Sequence, residues 1–125
     1  MTWFKPFNRR SKGEHYETAA KEYMQGCGLL LLERNFNAHV GEIDLIMRDG
    51  ETIVFVEVRY RNSQNYGHAA ETVTHQKQKK LIRAATYWLQ KNHLSVHSTD
   101  FRFDVVAIHN NGTQIEWIKN AIVQG

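Results

Sequence analysis

Gly41-Glu42-Ile43-Asp44-Leu45-Ile46-Met47-Arg48 and Thr52-Ile53-Val54-Phe55-Val56-Glu57-Val58-Arg59, joined through Asp49-Gly50-Glu51, decide how this chain folds. Asp-Gly between two apolar runs is a hairpin signal, so strands are expected over 42–48 and 52–59. With Asp49-Gly50 as a two-residue loop, Arg48 pairs with Glu51. Asp44 then lies opposite Phe55, and Glu42 opposite Glu57. Strand side chains alternate faces, so Glu42, Asp44, Glu57 and Arg59 project together. Asp44 and Glu57 become diagonal neighbours, roughly 7–8 Å apart at the backbone.

Acidic residues are poor strand formers and are rarely buried without a partner. Two carboxylates placed this way repel, and one would have to stay protonated. A bound Mg²⁺ or Mn²⁺ removes the conflict, because hard cations take carboxylate oxygens. The plainer alternative is that these side chains face water on the open side of the hairpin. Ile46, Ile53 and Phe55 share that side, so it is not simply wet. On the residues alone both readings stay open.

Working outward, Ser11-Lys12-Gly13-Glu14 has capping-box spacing, and a helix is expected from there to about Gln25, ending at Gly26 or Gly28. Its apolar face uses Tyr16, Ala19, Ala20, Tyr23 and Met24. Glu17 lies one step off that stripe and points toward a sheet edge. Leu29 to Asn35 reads as the first strand. Residues 60–72 are polar and are expected as a mobile loop near the site. Thr74 caps a second helix to about His93, burying Leu81, Ala84, Ala85, Trp88 and Leu89. Asp100 to His109 is a strand with Phe101, Phe103, Val105 and Ala107 on one face. Arg102, Asp104, Val106 and Ile108 take the other. Asn110-Asn111-Gly112 turns into a last strand near Gln114–Ile118. The order α-β-β-β-α-β-β predicts an α/β fold with a mixed central sheet flanked by helices. Residues 1–10 read as a basic arm and 11–125 as a single domain.

The 125 residues suit one core, and 42% hydrophobic with 23% charged residues reads as soluble and globular. No apolar run approaches a membrane span, and the N-terminus lacks the pattern of a signal peptide. The lone Cys27 cannot close an internal disulfide and reads as a small filler, which suits a reducing cytoplasm. Net charge is +3 and the pI about 9.1. The distribution of charge says more. Lys5, Arg9, Arg10 and Lys12 cluster first; Arg59 and Arg61 follow the acidic strand; Lys77, Lys79, Lys80 and Arg83 crowd the second helix. Cations in the first turns of a helix oppose its dipole by roughly 0.3–1 kcal/mol each. That points to an anionic partner, against the alternative of a plain solvated face. Seven histidines come without cysteine ligands, so zinc is not expected. There is no phosphate-cradling glycine loop and no nucleophile elbow.

Taken together, these residues resemble the PD-(D/E)XK nucleases. More closely, the chain is similar to the YraN family of bacterial predicted endonucleases, related to archaeal Holliday junction resolvases. The resemblance runs from about Gly13 to Val106. It rests on Glu17-x-x-Ala20-x-x-Tyr23, Gly41-Glu42-Ile43-Asp44-Leu45-Ile46, Phe55-Val56-Glu57-Val58-Arg59-x-Arg61, Lys77, and Arg102-Phe103-Asp104-Val105-Val106. It implies a restriction-endonuclease-like fold and cleavage of phosphodiester bonds in DNA, branched DNA such as Holliday junctions included.

Asp44 and Glu57 would bind Mg²⁺ or Mn²⁺, with the Val58 carbonyl. Glu17 would complete the acidic cluster, and Arg59 stands where those nucleases have lysine. Arginine stays charged and cannot serve as a base, but it can offset charge on the phosphate. Arg61, Lys77, Lys79, Lys80 and Arg83 would hold DNA, with Glu42 and Asp104 as accessory residues. Resolvases of this kind act as symmetric dimers, so a homodimer is expected. No membrane partner is expected. The rival readings are a nucleic-acid-binding module that cuts poorly or not at all, and a protein-interaction subunit of a DNA-processing complex.

Overall fold

A computed structural model describes residues 9–61, 73–109 and 114–122. Its elements run α1 (Arg9–Gly26), β1 (Leu30–Ala38), β2 (Gly41–Asp49), β3 (Thr52–Arg61), α2 (His75–Lys91), β4 (Phe101–His109) and β5 (Gln114–Ile118). The five strands form one sheet in sequence order. β3 and β4 are parallel, and the other neighbours are antiparallel. A parallel pair needs a long crossover, and the segment containing α2 supplies it. The α/β architecture with a mixed sheet is therefore as the element order predicts.

Among the described residues, each face of the sheet carries one helix. On one side Leu81, Ala84, Ala85, Trp88 and Leu89 of α2 pack on Ile46, Phe55, Phe103 and Val105. On the other, Tyr16, Ala20 and Met24 of α1 cover Leu45, Met47, Val54, Val56 and Val106. The predicted faces of α2 and β4 hold in full. Tyr23, expected in the stripe of α1, is exposed.

Several boundaries move. α1 begins at Arg9, so Ser11 lies within the helix rather than at its cap, and the last two residues of the expected arm are helical. Tyr60 and Arg61, expected to begin the loop at 60–72, belong to β3; residues 1–8, the rest of that loop and the turn at 110–112 lie outside the described residues. β1 extends to Ala38 and carries a bulge between Leu31 and Glu33. A bulge re-aims the side chains beyond it. Glu33 thereby accepts a hydrogen bond from Trp88 Nε1 at 3.0 Å, satisfying the indole of a buried ring.

The hairpin register also differs. Asp49 pairs with Thr52, and the loop is Gly50-Glu51, with Gly50 at φ 62°. Glycine at the first loop position, with no positive φ after it, follows the type II′ pattern. Arg102 of β4 binds Asp49 at 3.1 Å and keeps it in the strand. The shift is two residues, so side-chain parity survives, but Asp44 now stands level with Glu57 rather than Phe55. At the other end of β2 a Cβ on Gly41 would meet the Lys80 carbonyl oxygen at 3.1 Å. Glycine there lets the β1–β2 turn lie against α2.

Candidate active site

The β2–β3 ladder stops at Leu45↔Val56, while β3 continues beside β4 as far as Arg61↔His109. Asp44 sits where the two strands part. The Val58 N–H, with no partner from β2, donates to Asp44 Oδ2 at 2.8 Å. Ile43 and Ile46 both enter the core under α2, so the alternation of β2 breaks between them. Asp44 therefore points into the gap between strands, and Glu42, next to Ile43, turns to the α1 side, opposite the α2 side that Glu57 faces.

The break has a counterpart across the sheet. Asn35 adopts φ 52° between the pairs Arg34↔Leu45 and Phe36↔Ile43. Asparagine tolerates this left-handed region better than other side-chain-bearing residues.

Glu57 is buried and turned toward α2, with Lys77 Nζ at 3.7 Å and Arg59 Nη1 at 3.9 Å from its Oε2. Burial first, then a hydrogen bond and charge repulsion from Asp44, push its carboxyl up to about 8, against the pull of Lys77 and Arg59. Glu57 thus carries a proton at neutral pH. Glu17 approaches from α1. Tyr16 stacks on Tyr60 with ring centroids 4.3 Å apart, fixing the turn of helix that carries Glu17. Desolvation, and then Asp44, raise Glu17 to about 7, while Arg34 and a hydrogen bond with Asn35 oppose the rise. Its Oε1 is buried with no hydrogen-bond partner among the described residues.

Glu17, Asp44, Glu57, Arg59 and Lys77 are thus brought together, from four elements. Glu42 is exposed, yet near enough for its charge to act on Glu17. Lys79, Lys80 and Arg83 point into solvent. Arg61 ends β3, but its side chain lies outside the described part, as do those of Arg9, Arg10 and Lys12. Asp104 is a correction. It is fully buried and accepts from Arg102 Nε at 3.1 Å, Trp117 Nε1 at 2.9 Å and the Asn120 N–H at 2.8 Å. These bonds tie β4 to β5 and the chain beyond it, so Asp104 is an anchor rather than an accessory of the acidic cluster. His93 and His97, four apart, are exposed beyond the end of α2.

The sequence reading missed Asn35, Arg34 and Thr18. Arg34 Nη2 donates to Thr18 Oγ1 at 2.9 Å, joining β1 to α1 beside Glu17. The signal was available: Asn35 and Asn37 are poor strand residues within an otherwise strand-like run. Replacing Asn35 by Ala should destabilise the fold by up to about 1 kcal/mol, because alanine lacks the short polar side chain that lets asparagine occupy the left-handed region. Asn35→Gly should cost far less, while still removing the side-chain bond to Glu17. Urea denaturation of both variants checks this, and equal losses would contradict the backbone argument.

Among the described residues no group of three or more His, Cys, Asp or Glu side chains is gathered as a metal cage. The donor set nevertheless fits a hard cation. It offers two close carboxylates, and nearby an acid oxygen without a partner. Mg²⁺ commonly binds through one or two carboxylates and keeps several waters.

The model of the uncharacterised protein family UPF0102 matches residues 16–108, a span that includes Glu17, Asp44, Glu57, Arg59 and Lys77. A UPF0102 protein of Aliivibrio salmonicida is 61% identical over 118 residues, covering 94% of this chain and 96% of its own length. One of Vibrio cholerae is 56% identical over 94% of this chain and 97% of its own. One of Vibrio vulnificus is 55% identical, over 95% and 98% respectively.

Proposed function

The chain belongs to the uncharacterised protein family UPF0102, and we propose that it is a divalent-metal-dependent endonuclease of the PD-(D/E)XK kind, acting on DNA, branched DNA included. The observation that carries this reading is the pair Asp44 and Glu57, held at the parting of two strands with Arg59 and Lys77 beside them.

Asp44 and Glu57 would hold Mg²⁺ or Mn²⁺, with Glu17 as a further acid. The cation, when bound, supplies a lowered pKa for water and charge neutralisation at phosphate. The chain's own residues do the rest. The Val58 N–H fixes the Asp44 carboxylate. Lys77 and Arg59 reduce the cost of keeping Glu57 ionised. Arg59, 37% exposed, can swing to a phosphate oxygen and offset the charge that grows on it. Lys77 positions the backbone of the strand. No proton is taken by Arg59, since guanidinium stays charged. In this reading the protein works in the cytoplasm as a homodimer that cuts paired strands. Among the described residues no helix is long and apolar enough to cross a membrane.

The reading is tested by incubating the protein with Mg²⁺ or Mn²⁺ and labelled four-way junctions, flaps, single strands and duplexes. Cleavage that stops with EDTA supports it, and the preferred substrate names its class. Arg59 in the lysine position favours a second reading, a nucleic-acid-binding module that does not cut. Salt-sensitive binding with no cleavage of any substrate would select that one.

The proton on Glu57 has a consequence for stability. Glu57 in the folded chain keeps a proton up to about pH 8, whereas an unfolded glutamate loses it near 4.5. The folded state therefore binds more protons in this window, and stability falls as pH rises through it. In EDTA the melting temperature should drop between about pH 5 and 8, and Glu57→Gln should flatten that slope. Mg²⁺ should restore stability at the alkaline end while releasing a proton. A slope identical in wild type and Glu57→Gln would show that Glu57 holds no such proton.

A further inference from the structure

Helix α2 carries Lys77, Lys79, Lys80, Arg83 and Lys91 and not one acidic residue. Lys77 and Lys80, Lys80 and Arg83, and Lys79 and Arg83 stand three or four residues apart, where like charges destabilise a helix. The first turn also lacks the acids that its dipole favours. Lys77 is accounted for by Glu57. Lys79, Lys80 and Arg83 are exposed, with no ion pair to another described residue.

Beside this charge lies a groove of about 310 Å³, lined by Val40, Ile82, Arg83, Thr86, Tyr87 and Gln90. Its walls are mostly apolar. Tyr87 is 52% exposed, and its ring stacks on Phe36 with centroids 6.1 Å apart, which holds it in place. An exposed, braced aromatic ring beside a row of cations is the pairing that single-stranded nucleic acids use. Bases stack on the ring and phosphates meet the cations. In duplex the base faces are already stacked, so only an unpaired base can lie flat on the ring.

The groove lies on the two elements, β2 with its preceding turn and α2, that also carry Asp44 and Lys77. Val40 stands four residues before Asp44, about 13 Å of extended chain. Tyr87 is ten residues beyond Lys77, about 15 Å along the helix. A strand held at Asp44 and Glu57 reaches Tyr87 within a few nucleotides.

We propose that this groove receives an unpaired nucleotide of a DNA strand, with its base against Tyr87 and a flanking phosphate on Arg83, so that the protein selects DNA carrying a single-stranded segment. This rests on the nucleic-acid part of the function proposed above, but not on cleavage.

The test is fluorescence anisotropy in EDTA. The probes are a labelled single-stranded oligonucleotide, a duplex with a single-stranded tail, and a blunt duplex. Tyr87→Ala should weaken the first two roughly 5- to 100-fold, the range for losing one stacked base, without changing the salt slope. Tyr87→Phe should bind as the wild type does, which controls for the lost packing on Phe36. Blunt duplex should bind all three proteins alike. Arg83→Ala should lower the salt slope by about one phosphate contact.

Single-strand binding untouched by Tyr87→Ala would overturn the proposal. So would equal weakening of blunt duplex, or no binding of any DNA. The two readings can fail separately. A protein that binds tails through Tyr87 but cuts nothing upholds this inference and removes the nuclease. One that cuts with Tyr87→Ala indifferent does the reverse.

Discussion

Asp44→Asn and Glu57→Gln should each lower metal-dependent DNA cleavage at least about a thousandfold, equivalent to about 4 kcal/mol of transition-state stabilisation. The two carboxylates lie together, so neither can replace the other as a ligand. Asp44→Asn also leaves the Val58 N–H facing an amide, which can still accept its bond through oxygen. The fold should therefore survive. Glu57→Gln removes a buried acid that is costly to ionise, so that variant should be at least as stable as wild type near pH 8 without metal. Loss of cleavage without loss of melting temperature is the expected combination. Full activity in either variant would remove the pair from the chemistry.

Asp104→Ala should have the opposite profile. The carboxylate is fully buried and binds Arg102, Trp117 and the Asn120 N–H. Removing one partner of a buried ionic network costs about 3–5 kcal/mol, because the remaining groups stay desolvated without compensation. In a domain of this size that lowers the melting temperature by on the order of 10–20 °C. Asp104→Asn, which keeps the shape, should lose less. Cleavage per folded molecule, measured well below the transition, should be nearly unchanged in both. A variant that melts normally but no longer cuts would return Asp104 to the acidic site.

These two acids show how far the chain could be read unaided. Asp44 and Asp104 both sit in strands among aliphatic residues, and the local difference is small: Arg102, which binds Asp104, stands where Glu42 precedes Asp44. What separates them is long-range: Asp104 meets Trp117 and Asn120 from the following strand and its exit, while Asp44 meets the Val58 backbone where a ladder ends. Periodicity was enough for α2, whose five buried residues are the five expected. It was enough for β4 as well, because one face of each element is sealed by the core and the pattern has only one solution. It was not enough for the hairpin register. Asp-Gly suits a loop in either of two positions, and the choice fell to Arg102 holding Asp49 from a strand more than fifty residues away.

The sequence by itself determined the element order, the two apolar faces and the set of acids and cations available, because hydrophobic burial acts on patterns of a few residues. Tertiary structure alone decided which of those charges meet. The kink at Asn35, the parting of β2 from β3 and the docking of Tyr16 on Tyr60 bring Glu17, Asp44 and Glu57 into one place. Charge interactions depend on distance and desolvation, and both are properties of the folded chain.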